Sequence, residues 1–168
     1  MFVKIAGAAL VMLCGILFNF KVKYEAKERI AELEEFLKIT DSVKNDIFFK
    51  KLTVLKCLKN LEIENSLVED YICKIAGFLE MGNTIPVSVQ KAVKISNLYL
   101  KDEDLKIVNG FFENLGQTAY ENQLENAVYT MEKLTRRTGE IKKMREKNEK
   151  TQCSLVLGCA AAIVIVLC

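Results

Sequence analysis

The sequence predicts an all-α protein, an antiparallel bundle of about six helices that is tethered by an N-terminal and a C-terminal transmembrane helix. Three observations predict this fold class. Uncharged apolar runs lie near both ends, the central part repeats apolar residues at steps of three and four, and the 168 residues include only one proline. Such steps are typical of amphipathic helices, which an internal proline would interrupt.

Two segments are apolar enough to be membrane anchors. Neither Ile5–Phe20 nor Gln152–Cys168 contains an Asp, Glu, Lys or Arg. As helices, runs of this length extend for roughly 25 Å, slightly less than the roughly 30 Å of a bilayer core. Residues 1–3 lengthen the first run if the side chain of Lys4 reaches the interface. We therefore predict anchors at 1–20 and 152–168, with a helical domain at 21–151.

The basic residues predict on which side of the membrane the domain lies. Lys21, Lys23, Lys27 and Arg29 follow the first anchor, and a basic, membrane-proximal stretch precedes the second. The positive-inside rule then places residues 21–151 in the cytoplasm of a cell-membrane protein with two spans. In that reducing compartment, Cys57 and Cys73 are predicted to be free thiols that pack as small apolar residues.

The first long helix is predicted to continue from the anchor into the domain, because no Gly or Pro interrupts it after Phe20. A break is predicted at Phe49–Lys51, before the amphipathic stretch LTVLKCLKNL. Phe36 and Val43 widen the apolar stripe of this helix. The stripe itself consists of Ala26, Ile30, Leu33, Leu37, Thr40 and Ile47.

Local signals mark the helices in the middle of the domain. A segment at 67–81 is predicted to end at Gly82, and Pro86 lies near the start of a short helix that runs to Ile95. The next helix begins at the acidic residues 102–104, whose charges favour a helix N-terminus, and its Phe111 and Phe112 are predicted core residues.

The last helix is predicted to return to the membrane. Gly116 ends the preceding helix, and Thr118–Glu121 has the T-x-x-E pattern of a capping box. The following stripe has heptad-like, coiled-coil spacing, so pairing this helix antiparallel to the first would bury both stripes. Its members are Leu124, Ala127, Met131, Leu134, Thr138 and Ile141.

The composition disfavours an enzyme. The chain has no His, and its eight Gly form no phosphate-binding motif. None of its six Cys pairs as C-x-x-C, so we predict no catalytic residue, no cofactor and no metal site. Glu32, Glu34 and Glu35 are interpreted as a solvated helix face, because lysines are interspersed with them.

The basic stretch before the second anchor has two interpretations that the sequence leaves open. It could bind anionic lipid, or it could serve only to set the membrane topology. Nucleic acid is not a predicted partner, because acidic residues interrupt the stretch and the net charge is only +2. The basic residues concerned are Lys142, Lys143, Arg145, Lys147 and Lys150.

The segment LKDEDLKIVNGFFENLGQTAYENQ resembles part of the stage III sporulation protein AB family of spore-forming bacteria. The shared features are the acidic helix start, the stop at Leu115 and Gly116, and Gln123 seven residues later. The order of anchor, helical domain, basic stretch and anchor is similar along nearly the whole chain.

This resemblance implies a non-enzymatic membrane scaffold in a secretion-like channel complex between mother cell and forespore. The domain would lie on the mother-cell side and look like the cytoplasmic domain of the type II secretion platform protein. The implied partners are a cytoplasmic secretion-type ATPase and other sporulation channel subunits.

The ATPase is expected at the end of the domain opposite the membrane, where the turns at Phe49–Lys51 and Gly116–Thr118 lie. Partner-binding residues are therefore predicted at Lys50, Lys51, Gly116 and Gln123. Gly116 and Gln123 also have a purely structural interpretation, as a helix stop and a helix-packing amide.

Two alternative functions stay open at this point. One is a platform subunit of a secretion or pilus system, although such proteins usually duplicate the helical domain and no internal repeat is visible. The other is a small two-span membrane sensor or channel subunit, which would favour polar or ionisable residues inside the anchors. Asn19 and Ser154, near the ends of the two runs, are poor evidence for a conduction path.

Overall fold

The computed structural model describes the backbone of residues 2–50, 52–117 and 120–167, and the side chains of residues 15, 17, 19–47, 50, 52–117 and 121–148. In these ranges the chain forms six helices and no strand, which confirms the predicted all-α class. The helices are α1 (Phe2–Lys50), α2 (Val54–Lys59), α3 (Ser66–Glu80), α4 (Ile85–Ile95), α5 (Asp102–Glu113) and α6 (Tyr120–Leu167).

The two long helices, α1 and α6, pack against each other over most of the domain. Their pairing is antiparallel, as predicted: residues 22–29 of α1 lie beside residues 141–148 of α6, and residues 43–47 lie beside residues 123–127. Neither helix breaks where it leaves its predicted anchor. The ends of both helices that lead towards the apolar runs therefore lie together, and we call this the membrane-proximal end, after the anchors that the sequence predicts.

The short helices complete a core around α1. Phe36 of α1, Tyr71 of α3 and Phe112 of α5 form an edge-to-face triangle with ring centroids 5.8–6.4 Å apart. All three rings are buried, as is Leu134 of α6. Such aromatic contacts add to the free energy gained by burying the rings, so this cluster is the centre that joins α1, α3 and α5.

The predicted helix ends are confirmed where the chain is described. Gly82 and Gly116 adopt φ angles of 83° and 71°, the left-handed conformation that glycine takes without strain. α1 ends at Lys50, within the predicted break, and Pro86 lies in the first turn of α4. The capping box cannot be followed, because Thr118 lies outside the described residues.

Among the residues that the structure describes, no helical stretch is both long and apolar enough to cross a bilayer. Most of the anchor predicted at 1–20, and all of the anchor predicted at 152–168, lie outside the residues whose side chains are described.

Two predictions about packing need correction. Cys57 is a buried free thiol as expected, but Cys73 is exposed. The cause is its position on α3, because the buried stripe of that helix runs through Val68, Tyr71, Ile72 and Ile75 and leaves Cys73 on the opposite face. Leu124, predicted to be buried, is only half-buried near the end of the α1–α6 pair.

Candidate functional site

The turn between α5 and α6 lies at the end of the bundle opposite the membrane-proximal end, which we call the distal end. The side-chain oxygen of Gln123 accepts a hydrogen bond from the backbone N–H of Gly116 at 3.2 Å. A Cβ atom at Gly116 would contact Val54 at 3.4 Å and Ile85 at 3.6 Å, so this turn packs on α2 and α4. Gly116 and Gln123 therefore hold the distal end together, which is the structural role that the sequence left open for them.

A surface at the distal end combines an open apolar groove with exposed groups. Met81 is 77% exposed, and Lys50 is exposed while paired with Asp46 at 2.7 Å. Of the predicted partner-binding residues, Lys51 lies outside the described residues. The groove beside Met81 is lined by Leu79, Asn83, Thr84, Ile85, Pro86 and Gln117. We call this groove, with Lys50 and Met81, the distal surface.

The predicted basic residues at the membrane-proximal end have different surroundings. Lys142 bridges to Glu34 of α1 at 2.6 Å and so joins the two long helices. Lys143 and Lys147 are exposed, whereas Arg145 is half-buried between α1 and α6. The side chain of Lys150 lies outside the described residues.

Two of the three glutamates interpreted as a solvated face are buried. Glu32 is fully buried and accepts hydrogen bonds from the backbone N–H groups of Tyr99 at 2.9 Å and Leu100 at 3.1 Å. Glu35 accepts the N–H of Glu64 at 2.9 Å. Only Glu34 is exposed. The interpretation failed because these carboxylates hold the loops before α3 and α5 against α1, so the loops cover them.

Asp104, at the start of α5, is the centre of a second buried network. Its carboxylate is fully buried and accepts Nε–H of Arg29 at 2.5 Å and Nε–H of Arg137 at 2.9 Å. Burial alone would raise the pKa of Asp104, but the hydrogen bonds from the two guanidinium groups outweigh it and hold the pKa below its ordinary value. One carboxylate on α5 thus links α1 to α6.

These buried acids do not form a metal centre. No group of three His, Cys, Asp or Glu side chains in the described part of the chain is placed to hold a metal ion. Each buried acid has backbone N–H groups or arginines as its partners, which is the satisfied state expected of structural carboxylates.

A match to the family of stage III sporulation protein AB covers residues 4–168 of the chain. The chain belongs to this family. Family membership makes it a sporulation-associated protein and confirms the resemblance seen in the α5–α6 segment. No curated protein and no solved structure gives a significant match to the chain.

In this member of the stage III sporulation protein AB family, the sequence did contain a signal for the buried charges. Stepping back from Phe36 by four and then three residues gives Glu32 and Arg29, and stepping on from Val43 by three gives Asp46. All three side chains are buried. A helix stripe defined by spacing alone, with charged residues allowed, would have included all three. A stripe restricted to apolar residues leaves them out.

The buried Glu32 predicts how stability changes with pH. Burial raises the pKa of Glu32 from 4.5 to about 7, against the opposing effect of its two backbone hydrogen bonds. Between these two pH values the folded chain binds a proton that the unfolded chain has lost, so its unfolding free energy falls as pH rises through the interval. The change amounts to roughly 3 kcal/mol.

Urea unfolding of a fragment covering residues 21–150, followed by circular dichroism at several pH values, measures this effect. Glu32→Gln should remove most of the decline between pH 4.5 and 7, because the amide does not titrate. Glu34→Gln is the matched control, since Glu34 is exposed on the same helix, and it should keep the decline. If the unfolding free energy of Glu32→Gln fell equally between pH 4.5 and 7, the decline would come from other titrating side chains.

Proposed function

We propose that this chain is a non-enzymatic membrane scaffold of the sporulation channel complex between mother cell and forespore. Residues 1–20 and 152–168 anchor it in the membrane, and residues 21–151 form a domain on the mother-cell side. The domain docks a cytoplasmic secretion-type ATPase and connects it to other channel subunits. The observation that carries this proposal is the family match over residues 4–168.

The arrangement of α1 and α6 supports the anchored part of the proposal. Both helices continue from the packed domain into the uncharged runs, and their antiparallel pairing brings those two runs to one end. The network around Asp104 and the ion pair between Lys142 and Glu34 fasten the helices together near that end. A domain held in this way has a defined orientation on a membrane.

The distal surface is the dock we propose for the ATPase. Exposed methionines adapt to a partner and are common at binding surfaces, and Met81 lies beside an apolar groove here. The surface lies at the opposite end of α1 and α6 from the apolar runs, so a large cytoplasmic assembly could approach it without meeting the bilayer. The exposed Gly116 and the half-buried Gln123 hold the turn that borders this surface.

Co-flotation tests both halves of the proposal in one experiment. The full chain is reconstituted into phosphatidylcholine vesicles, which are floated with the candidate ATPase and then washed with alkaline carbonate. We expect the chain to remain with the vesicles and the ATPase to float only when the chain is present. Loss of the chain in carbonate would contradict anchoring, and failure of the ATPase to float would contradict direct docking.

Charge reversal locates the dock. Lys50→Glu with Lys51→Glu should weaken ATPase capture about tenfold or more, corresponding to about 1.4 kcal/mol of binding free energy. The matched control is Lys94→Glu with Lys106→Glu, which makes the same change in net charge at exposed positions on α4 and α5. Equal capture by both double variants would move the dock away from the distal surface.

A further inference from the structure

A groove lies between α1 and α6 at the membrane-proximal end. Four of its lining residues are apolar, three carry a positive charge and one is an amide; none is Asp or Glu. They are Val22, Ala26, Ile141 and Met144, then Lys23, Arg29 and Arg145, and Asn148. Most protein surfaces mix the two signs of charge, so a groove that combines an apolar wall with only cations favours an anionic, partly apolar ligand.

Arg29 makes this groove more than a cluster of surface lysines. Its side chain is only 9% exposed, and its Nε and Nη2 atoms both lie 2.5 Å from the same oxygen of Asp104. Nε–H donates the hydrogen bond, and Nη2 belongs to the ion pair with the same carboxylate. Asp104 also neutralises Arg137, so a single buried carboxylate faces two guanidinium groups. Arg29 is therefore fixed at the groove by a buried carboxylate that it shares with Arg137 of α6.

The position of the groove argues for a lipid as the ligand. It opens where α1 and α6 continue towards the uncharged runs, and Leu17 and Phe20 of α1 are already 60% and 68% exposed there. Basic pockets between membrane helices on the cytoplasmic side are known binding sites for anionic head groups. Two lysines outside the groove, Lys21 and Lys142, pair with Glu25 at 3.8 Å and with Glu34 at 2.6 Å.

We infer that this groove binds the phosphate head group of an anionic phospholipid, held by Lys23, Arg29 and Arg145, with the start of its acyl chains on Val22 and Met144. The site would fix the domain at one height and rotation relative to the membrane. This inference rests on the proposed anchoring, and it assigns to one pocket the lipid contact that the sequence left open for the whole basic stretch.

Two variants test the groove without disturbing Asp104. Lys23→Gln removes one of its charges, and Lys21→Gln is the matched control on the same turn, outside the groove. Ala26→Leu narrows the groove and leaves every charge in place. Fluorescent phosphatidylglycerol is titrated into the full chain in neutral detergent, and circular dichroism checks that each variant is folded.

We expect Lys23→Gln to weaken phosphatidylglycerol binding about fivefold, the effect of about 1 kcal/mol for one cation near a membrane surface. Ala26→Leu should weaken it at least as much, and Lys21→Gln should leave it unchanged. Equal losses in Lys21→Gln and Lys23→Gln, with normal binding by Ala26→Leu, would mean diffuse attraction to surface charge and would overturn the inference. If Ala26→Leu does not fold, the two lysine variants still decide the question.

Two further measurements distinguish a lipid from free phosphate as the ligand and test the proposed anchoring separately. Inorganic phosphate that displaces the labelled lipid completely, and binds as tightly on its own, would assign the groove to free phosphate and overturn the lipid inference. Short-chain phosphatidylglycerol in detergent-free buffer needs no anchor, so its binding to a chain that fails to float with phosphatidylcholine would support the groove and contradict the anchors. A chain that floats but shows no preference for phosphatidylglycerol over phosphatidylcholine would overturn only the groove.

Discussion

Replacement of Asp104 by asparagine should lower the unfolding free energy of the domain by about 3–5 kcal/mol, because it leaves a buried cation without its counter-charge. Arg29 is 93% buried, and the carboxylate of Asp104 is its ion-pair partner at 2.5 Å. The asparagine amide has nearly the same shape as the carboxylate, so the loss would come from charge rather than from a cavity. Urea unfolding of residues 21–150 at neutral pH measures it.

The matched control for Asp104→Asn is Glu103→Gln. Glu103 pairs with the same arginine, Arg137, but its side chain is 72% exposed, and an exposed ion pair contributes about 0–1 kcal/mol. A double-mutant cycle with Arg29→Met separates the pair from its surroundings. Arg29→Met should cost less in the Asp104→Asn background than in the parent, since the unpaired cation is then removed. Equal costs in both backgrounds would mean that Arg29 and Asp104 are not coupled.

The network around Asp104 has a consequence for the proposed scaffold role as well as for stability. It joins α1, α5 and α6 near the membrane-proximal end, about where the two long helices leave the packed domain. Burying charges is a costly way to gain stability, and a well-packed apolar contact can replace an ion pair without loss. What the ion pairs add is a fixed register between α1 and α6, which a scaffold needs if it is to hold a partner at a set position.

The helix boundaries were predictable because each depends on a few neighbouring residues. Gly82 and Gly116 end helices by adopting a conformation that other residues take only with strain, and Pro86 is tolerated only in a first turn. The pairing of α1 with α6 was predictable for a different reason. Each has a long apolar stripe, and two helices whose apolar runs are predicted to enter one membrane from the same side can pair only when antiparallel.

The buried carboxylates were not predictable in the same way. Whether a glutamate on a helix is solvated depends on what covers that face, and here the cover is the loop at Tyr99 and Leu100, some seventy positions along the chain from Glu32. The alternation of acids and lysines does not show this cover, and only the stripe extended from Phe36 places Glu32 on the buried face. The distal surface was also not predictable from local sequence, since Lys50 and Met81 are brought to one end by the packing of separate helices.

Replacement of Leu134 tests the pairing of α1 with α6 directly. Leu134 is fully buried at the middle of the predicted stripe of α6. Leu134→Ala should lower the unfolding free energy by about 2–5 kcal/mol, through lost burial and the cavity left behind. Leu134→Asp places an unpaired charge in the same position, so we expect it to abolish the cooperative transition altogether.

The matched control for Leu134 lies on the same helix. Val128 is 45% exposed on the outer face of α6, and Val128→Ala should change the unfolding free energy by less than about 0.5 kcal/mol. Leu124→Asp, at a half-buried position near the end of the pair, should lower the unfolding free energy more than Val128→Ala and less than Leu134→Asp. Urea unfolding of residues 21–150, followed by circular dichroism, ranks all four variants. If Leu134→Ala and Val128→Ala were equally mild, the stripe of α6 would not face α1, and the bundle could not hold the proposed anchors and the distal surface at opposite ends.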